Sequence, residues 1–331
     1  MNKSKSIEIY YNSQRSPESP TSELSSLTQD RVLREGRKPV VGVIGVGKMG
    51  GGIATNLLKR GFTVYVYDVR NEAVKRMQEK GAIPSNSPKE VAESTEIVIT
   101  SLPDGKTVRS VYLGDMGIME GIRRGSYVID TSTIDVRTEE DIEKECERRG
   151  CKMLVVTLGK GPAQAEVGES PLFVGGKKEI FEELKQFLEN LGKSIHYMGE
   201  IRNAVLFKLL SNVIGLGNLA LLLEAFSMAK ANGIDPNVFY KALKDTGGWS
   251  YQAELRLPWV LNGDFSPRFS LSFARKDIHL AVEYAEEQRV PMPIASVILH
   301  VYTIAEREGL GELDANAIYK LYEKWIEVKE R

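Results

Sequence analysis

The segment VVGVIGVGKMGGGIATNLL, residues 40–58, decides the fold of the first half of this chain. Residues 40–44 are mostly β-branched, as in a buried strand, and the apolar residues after the glycines recur at helical intervals. In between, Gly45, Gly47 and Gly50 have a G-x-G-x-x-G spacing. The first glycine of such a unit makes the tight turn, the second lets a pyrophosphate approach the backbone, and the third lets helix pack on strand. We therefore predict a dinucleotide site formed by Gly45, Val46, Gly47, Lys48, Met49 and Gly50.

An acidic residue in a suitable place strengthens this prediction. The next predicted strand, residues 63–67, ends in Asp68, which lies 23 positions after Gly45 (68 − 45). A carboxylate at this distance meets the ribose hydroxyls of NAD and repels the 2′-phosphate of NADP. With Val69 and Arg70, Asp68 forms the candidate site of cofactor selection. We expect NAD, and NADP stays open as the alternative because Arg70 can reach a phosphate.

Strand and helix patterns alternate from residue 40 to residue 197. This order predicts an α/β fold with a Rossmann-type doubly wound parallel sheet, whose ligands bind beyond the carboxyl ends of the strands. Residues 202–231 contain no proline and form one long apolar helix in this prediction, and only helix signals follow. We predict a solvated, serine-rich tail at residues 1–38, a dinucleotide-binding domain at 39–200, and an interdomain helix with an all-helical domain at 201–331.

Composition restricts the classes of partner. The 331 residues carry a net charge of −1, so nothing favours nucleic acid or an anionic membrane surface. We find no apolar run long enough to span a bilayer. The only cysteines, Cys146 and Cys151, cannot make a disulfide framework and favour a reducing compartment, the cytoplasm. The three histidines, His196, His279 and His300, lack metal-ligand spacing, and we infer no metal.

Six short motifs, in this order, resemble those of the β-hydroxyacid dehydrogenases, the relatives of 3-hydroxyisobutyrate dehydrogenase and 6-phosphogluconate dehydrogenase. They are GVIGVGKMG (42–50), SLPD (101–104), DTSTID (130–135), Lys208-x-x-Ser211-Asn212, Lys276-Asp277 and GLGELD (309–314). The resemblance covers about residues 40–325. It implies a Rossmann domain, a long interdomain helix and a helical domain, with NAD or NADP as cofactor and a small β-hydroxy acid as substrate.

The resemblance also implies roles for individual residues. Lys208 would be the catalytic acid/base and Asn212 its orienting partner. The residues on the cofactor side would be Leu102, Pro103, Thr107, Thr133 and Lys276. The residues on the substrate side would be Ser132, Gly159, Lys160, Gly161 and Ser211.

The residues around Lys208 support its role independently of the resemblance. Lys208 lies in the apolar stretch AVLFKLLSNVIGLG, where a solvated lysine is not expected. Ser211 and Asn212 follow at i+3 and i+4, so they share its helix face. Burial and a nearby nicotinamide charge both disfavour the ammonium and lower the pKa of Lys208 toward a value useful for proton transfer. The alternative is a lysine that snorkels to solvent or pairs with a carboxylate.

The substrate loop departs from the family pattern D-A-P-V-S-G-G, because residues 155–161 read VVTLGKG. Gly159 stands where the family has serine, and Lys160 stands between two glycines. A charge at this place would favour a substrate with a second anionic group. The alternative is that the flexible stem of Lys160 carries its ammonium out to solvent. Two smaller departures are Ser211, where the family has asparagine, and Val136, where it has proline.

We therefore expect an oxidoreductase that moves a hydride between NAD(P) and a small β-hydroxy acid, with Lys208 exchanging the hydroxyl proton. Two alternatives stay open. One is reduction of an imine or of a semialdehyde acid on the same scaffold, and the other is a catalytically silent protein that binds NAD(P). The long apolar helix also predicts a homo-oligomer with buried helix faces.

Overall fold

A computed structural model of the chain describes residues 37–327. Residues from Pro39 onward form one compact unit. The solvated tail predicted at residues 1–38 lies almost wholly outside the described residues.

Within the described residues, eight strands form one sheet in the order β3-β2-β1-β4-β5-β6-β7-β8. They are β1 (Val41–Ile44), β2 (Val64–Tyr67), β3 (Ile83–Pro84), β4 (Ile97–Thr100), β5 (Tyr127–Asp130), β6 (Lys152–Leu158), β7 (Ser170–Gly176) and β8 (Gly192–Gly199). The first six strands are parallel and have the order of a dinucleotide-binding fold, which confirms the predicted class. The carboxyl ends of β1, β2, β4, β5 and β6 therefore lie at one edge of the sheet.

The structure differs from a fully parallel sheet at β7, which runs antiparallel to β6 with Val156 opposite Val174. Only residues 159–169 connect these two strands, and a parallel crossover takes a dozen or more residues. The last strand, β8, is again parallel to β7. The short connection thus returns the chain to the sheet edge where β6 ends.

Eight helices lie between the strands. They are α1 (Lys48–Lys59), α2 (Asn71–Gln78), α3 (Pro88–Ser94), α4 (Gly105–Leu113), α5 (Ile118–Gly121), α6 (Val136–Arg149), α7 (Pro162–Val167) and α8 (Lys178–Leu188). The sequence patterns do not reveal α3 and α4, because these helices are too short for a clear periodicity. Both begin at a side-chain cap, since Ser87 accepts from the Glu90 amide and Asp104 accepts from the Thr107 amide.

The long helix α9 (Ile201–Ala231) confirms the prediction for residues 202–231. It packs on β6, β7 and α6 near its start and on later helices further along. The division of the chain at residue 200, where sheet gives way to helices, stays a proposal.

The expectation that no apolar run could span a bilayer is wrong on length and composition, since α9 is long and apolar enough. A core helix of a soluble protein passes the same test, and α9 packs on the sheet and on later helices.

The rest of the described chain is helical, as predicted. The helices are α10 (Pro236–Leu243), α11 (Tyr251–Leu261), α12 (Leu271–Glu287), α13 (Pro293–Ala305) and α14 (Tyr319–Glu327). The sequence pattern does not predict α11. The apolar pattern predicts one helix over 294–308, but in the structure α13 ends at Ala305 and a π-helical turn over Glu306–Leu310 follows, with Gly309 at φ +83° inside it. Asp314 caps a short 3₁₀ turn that precedes α14.

Cys146 and Cys151 form a disulfide across the turn between α6 and β6, and both are buried. This single bridge closes a loop of only five positions, so it is a local link and not a framework that organises the fold. The cytoplasmic location expected from the cysteine count stays a prediction.

Candidate active site

The glycine turn after β1 has the geometry that a phosphate cradle needs. Gly45 has φ +83°, and a Cβ there would lie 2.4 Å from the Ser101 carbonyl oxygen. A Cβ on Gly50 would lie 2.0 Å from the Gly45 carbonyl oxygen, so only glycine lets α1 pack this closely on the turn. Gly47 caps α1 without a side-chain hydrogen bond, which leaves the first amides of the helix available to an anion. These observations fit a dinucleotide pyrophosphate.

The remaining residues of the turn have different environments. Val46 is buried, Met49 is half-buried, and Lys48 is exposed and donates to the Pro267 carbonyl. Lys48 thereby ties the turn to the segment between α11 and α12.

Asp68, at the end of β2, is the centre of the next cluster. Its carboxylate accepts from the Val46 amide at 2.9 Å and from the Nε and Nη2 atoms of Arg70, each at 3.1 Å. Burial alone would raise the pKa of Asp68, but the hydrogen bonds from Arg70 and Val46 lower it below its usual value. Val69 is 83% exposed and has no place in this cluster. The site therefore holds both a carboxylate suited to the ribose of NAD and a cation suited to the phosphate of NADP.

The loops after β4 and β5 are joined by hydrogen bonds through Ser132. The Leu102 amide donates to Ser132 Oγ at 3.0 Å, and the Ser132 amide donates to Asp130 Oδ1 at 2.6 Å. Pro103 is exposed and Thr107 is half-buried at the start of α4. The predicted cofactor loop 102–107 and the predicted substrate residue Ser132 are therefore neighbours.

Lys276 of α12 donates from Nζ to the Thr133 carbonyl. This contact joins residues 143 positions apart in the chain. The structure thus brings the helical region to the carboxyl edge of the sheet, where the sequence analysis places Lys276.

Lys208 is half-buried near the start of α9. Burial lowers the pKa of Lys208, Asp277 partly opposes this effect, and the charge of Lys276 adds to it. Asn212, one turn further along, donates from Nδ2 to Asp277 Oδ2 at 2.7 Å. Ser211 is exposed beside it. A lysine with a lowered pKa beside an anchored amide is suited to exchange a proton.

Asp277 is the functional residue that the sequence analysis names only as part of a motif. Its side chain is 3% exposed and its Oδ1 lies 3.0 Å from Lys276 Nζ, while Oδ2 accepts from Asn212. A single carboxylate therefore holds two predicted site residues in place. A signal was present, because a charged residue interrupts the apolar face of α12, but the sequence does not identify its partner.

The substrate loop has a steric constraint at Gly159, one of the positions where its sequence departs from the family pattern. The Gly159 amide donates to the Pro171 carbonyl at 2.9 Å, and a Cβ on Gly159 would lie 2.6 Å from Pro171 Cγ. A serine therefore does not fit there without rearrangement. Lys160 is exposed at φ +64°, and Gly161 caps α7. The loop reaches the Lys208 region because Thr157 Oγ1 donates to the Ala204 carbonyl at 3.5 Å, one helical turn before Lys208.

The described residues contain no group of three or more His, Cys, Asp or Glu side chains placed to hold a metal ion.

Two family models match the chain along almost its whole described length. The NAD binding domain of 6-phosphogluconate dehydrogenase matches residues 40–199. The NAD-binding domain of NADP-dependent 3-hydroxyisobutyrate dehydrogenase matches residues 203–322. The boundary between the two matches coincides with the start of α9.

Curated relatives and solved structures cover the same part of the chain. The chain is 33% identical to the 3-sulfolactaldehyde reductase of Escherichia coli, over 84% of this chain and 94% of that protein. It is 28% identical to the 2-(hydroxymethyl)glutarate dehydrogenase of Eubacterium barkeri, over 86% and 95% respectively. The crystal structure of a 3-hydroxyisobutyrate dehydrogenase from Salmonella typhimurium superposes with a TM-score of 0.78 at 26% identity, covering 85% of this chain and 99% of that one.

Proposed function

The chain belongs to the β-hydroxyacid dehydrogenase family, and from this premise we propose which of its residues carry out the reaction. It is an oxidoreductase that transfers a hydride between NAD(P) and a small β-hydroxy acid. The observation that carries the assignment of the site is the cluster of Lys208, Asn212, Asp277 and Lys276 beside the loops after β4 and β5. Turnover measured with a panel of 3-hydroxy acids, with NAD and with NADP, tests the assignment. An absence of turnover with retained NAD binding would favour the silent alternative.

Lys208 acts as the acid/base in this proposal. Its lowered pKa favours a neutral amine, which accepts the proton of the substrate hydroxyl as the carbon–oxygen double bond forms. The bound nicotinamide supplies the acceptor for the hydride that leaves the same carbon. In the reverse direction Lys208 returns the proton to the carbonyl oxygen. Asn212 is the orienting partner of Lys208 in this proposal, and Asp277 positions Asn212 through the 2.7 Å hydrogen bond.

The substrate carboxylate is proposed to bind between two loops. Ser132 lies at the end of β5, and the backbone of Gly159 and Gly161 lies just past the end of β6. The exposed Ser211 lies on the same part of α9 as Lys208 and completes the candidate pocket. Fixing the carboxylate here would hold the hydroxyl carbon against Lys208, which supplies the entropic advantage of an intramolecular reaction.

Lys160 is proposed to bind a second anionic group of the substrate. The backbone of Lys160 is left-handed, a conformation that favours glycine. A lysine at this position therefore destabilises the folded state by about 1 kcal/mol or more. The named substrate of one relative, 2-(hydroxymethyl)glutarate, carries such a group as its second carboxylate, whereas 3-sulfolactaldehyde carries a single anionic group, its sulfonate. Lys160 also lowers the pKa of Glu169, after the larger effect of Lys193 on the same carboxyl group.

Replacing Lys160 with glycine should separate charge from backbone strain. Lys160→Gly removes the ammonium and relieves the left-handed conformation, so Tm should hold or rise. The KM for a dianionic substrate should rise about tenfold or more, because a charged hydrogen bond contributes about 1.5–3 kcal/mol, while the KM for 3-hydroxyisobutyrate should change little. Lys193→Ala, which removes the neighbouring lysine, is the matched control and should leave both constants unchanged. Equal changes for the two substrates would make Lys160 a surface residue.

We also propose a homo-oligomer, because α9 exposes a row of large apolar side chains. Ile214, Leu221 and Met228 recur every seven residues and are each more than 60% exposed. The neighbouring helix α13, which packs on α9 at Gly217, adds Ile294 and Val297, also more than 60% exposed. A row of this kind on two adjacent helices fits a second copy of the same surface.

Placing a charge in this row should therefore dissociate the oligomer. Leu221→Glu should lower the molar mass measured by light scattering after size-exclusion chromatography, because an unpaired charge would be buried in the contact. Val167→Glu changes a comparably exposed apolar residue on α7 and should leave the mass unchanged. If the unmodified protein is a monomer at micromolar concentration, this proposal is wrong.

A further inference from the structure

Glu139, on α6, is fully buried without a partner for its carboxyl oxygens. Its exposure is 0%, and neither Oε1 nor Oε2 accepts a hydrogen bond from any described residue. An ionised carboxylate in this situation would lose its hydration without compensation, at a cost of several kcal/mol. The Glu139 carboxyl group must therefore be protonated, or it must have a partner other than a hydrogen-bond donor.

Asp130, at the end of β5, is that partner. It is also 0% exposed, and its charge acts on the Glu139 carboxyl group more strongly than that of any other residue. Two carboxylates in contact cannot bond to each other while both are ionised, since both groups only accept. One proton between them turns the contact into a short hydrogen bond and removes one of the two buried charges.

The charged groups that act most strongly on Glu139 are acidic. The groups that act most strongly on Glu139 after Asp130 are Asp135 and Glu143, both acidic and both on or next to α6. The helix α4 contributes the Tyr112 hydroxyl, whose pKa is raised by burial and by the charge of Asp130. The sides of β6 and α9 that pack against α6 contribute apolar residues of the core. Burial, and next the charge of Asp130, raises the pKa of Glu139 well above its usual value.

We propose that Glu139 and Asp130 share one proton at neutral pH and that this buried carboxyl pair positions the loop that carries Ser132. Glu139 is the donor, because Asp130 already accepts from Thr100 Oγ1 at 2.5 Å and from the Ser132 amide at 2.6 Å. Burial raises the pKa of Asp130, and those two bonds oppose that effect and favour its ionised form.

The Glu139–Asp130 pair belongs to a continuous network of hydrogen bonds. The hydroxyl oxygens of Tyr112 and Thr100 lie 2.7 Å apart, Thr100 donates to Asp130, and Asp130 holds the Ser132 amide. Ser132 Oγ then accepts from the Leu102 amide. Glu139 thus acts on the predicted substrate and cofactor loops through Asp130, as a positioning residue. This link to substrate rests on the proposed role of Ser132, whereas the shared proton does not.

The proton itself can be observed without substrate. In the full-length protein at neutral pH, the infrared spectrum should contain the C=O stretch of a protonated, buried carboxyl group. Glu139→Gln should remove this band and keep the hydrogen bond to Asp130, since the amide also donates. Glu140→Gln, at the next and partly exposed position, is the matched control and should leave the band unchanged.

The stability of the variant should depend on pH in a defined direction. A glutamate is ionised in the unfolded chain above pH about 4.3, whereas Glu139 keeps its proton in the folded protein. The folded state then binds more protons, so the free energy of unfolding falls as the pH rises above this value, until the folded pKa is reached. Glu139→Gln lacks this loss. The Tm of Glu139→Gln minus the Tm of the unmodified protein should therefore increase by roughly 2–3 °C per pH unit between pH 5 and pH 8.

Turnover separates positioning from a general structural effect. Glu139→Gln should keep the KM for 3-hydroxyisobutyrate, or for the best substrate of the panel, whereas Glu139→Leu should raise it about tenfold by releasing Asp130 and Ser132, as expected on losing one charge-assisted hydrogen bond. The proposal is wrong if the carboxyl band is unaffected by Glu139→Gln and the difference in Tm does not change with pH. If the band and the pH dependence behave as expected but the KM of Glu139→Leu is normal, the shared proton stands and its link to Ser132 is rejected.

Discussion

Replacing Lys208 with methionine should lower turnover by about 10²-fold or more, the usual consequence of losing a general acid/base. Methionine keeps the length and the apolar stem of the side chain, so the packing of α9 is preserved while the exchangeable proton is lost. NAD binding, measured by fluorescence titration, should be largely retained, because the phosphate cradle lies in a different loop.

The pH dependence provides a second measurement on the same variant. In the direction of alcohol oxidation the neutral amine is the active form, so kcat should rise with pH and level off above the lowered pKa of Lys208. The residual activity of Lys208→Met should lack this rise. Lys230→Met changes the other lysine of α9, which contacts Tyr319 and Glu323, and should leave turnover within about twofold, as for surface changes of small energetic effect. Near-normal turnover in Lys208→Met would remove this residue from the mechanism.

Replacing Asp68 with asparagine should change cofactor preference by about 10²-fold, measured as the ratio of kcat/KM with NAD to kcat/KM with NADP. In the unmodified protein the carboxylate can accept from the ribose hydroxyls and repels a 2′-phosphate, so we expect it to prefer NAD. The substitution removes that charge and frees Arg70, which donates three hydrogen bonds to Asp68 in this structure. Asparagine keeps an acceptor for the Val46 amide, so the glycine turn should hold.

The neighbouring acid provides the control for this experiment. Glu72 lies in the first turn of α2 and adds to the raised pKa of Arg70 only after the larger effects of Asp68. Glu72→Gln should therefore leave the cofactor ratio unchanged. A clear preference for NADP in the unmodified protein would contradict the expectation and indicate that Arg70 dominates selection.

The sequence by itself determined the features that depend on neighbours along the chain. The strand, the glycine turn and the helix at residues 41–59 follow from β-branched residues, G-x-G-x-x-G spacing and helical periodicity, all within one short segment. Asp68 is identified because it follows the strand predicted at residues 63–67 and lies 23 positions after Gly45. The 31-residue α9 follows from composition, and Lys208 stands out because it interrupts that composition.

Tertiary structure decided what depends on residues far apart in the chain. Asn212 meets Asp277 65 positions away, and Lys276 meets Thr133 143 positions away, only because α12 packs on α9 and α9 packs on the sheet. The antiparallel β7 results from the short connection after β6, which the alternation of elements does not reveal. Glu139 looks like an ordinary residue of an amphipathic helix until the fold buries it beside Asp130. Periodicity records which face of an element is apolar, whereas partners are chosen by how whole elements pack, and a single sequence contains no direct record of that.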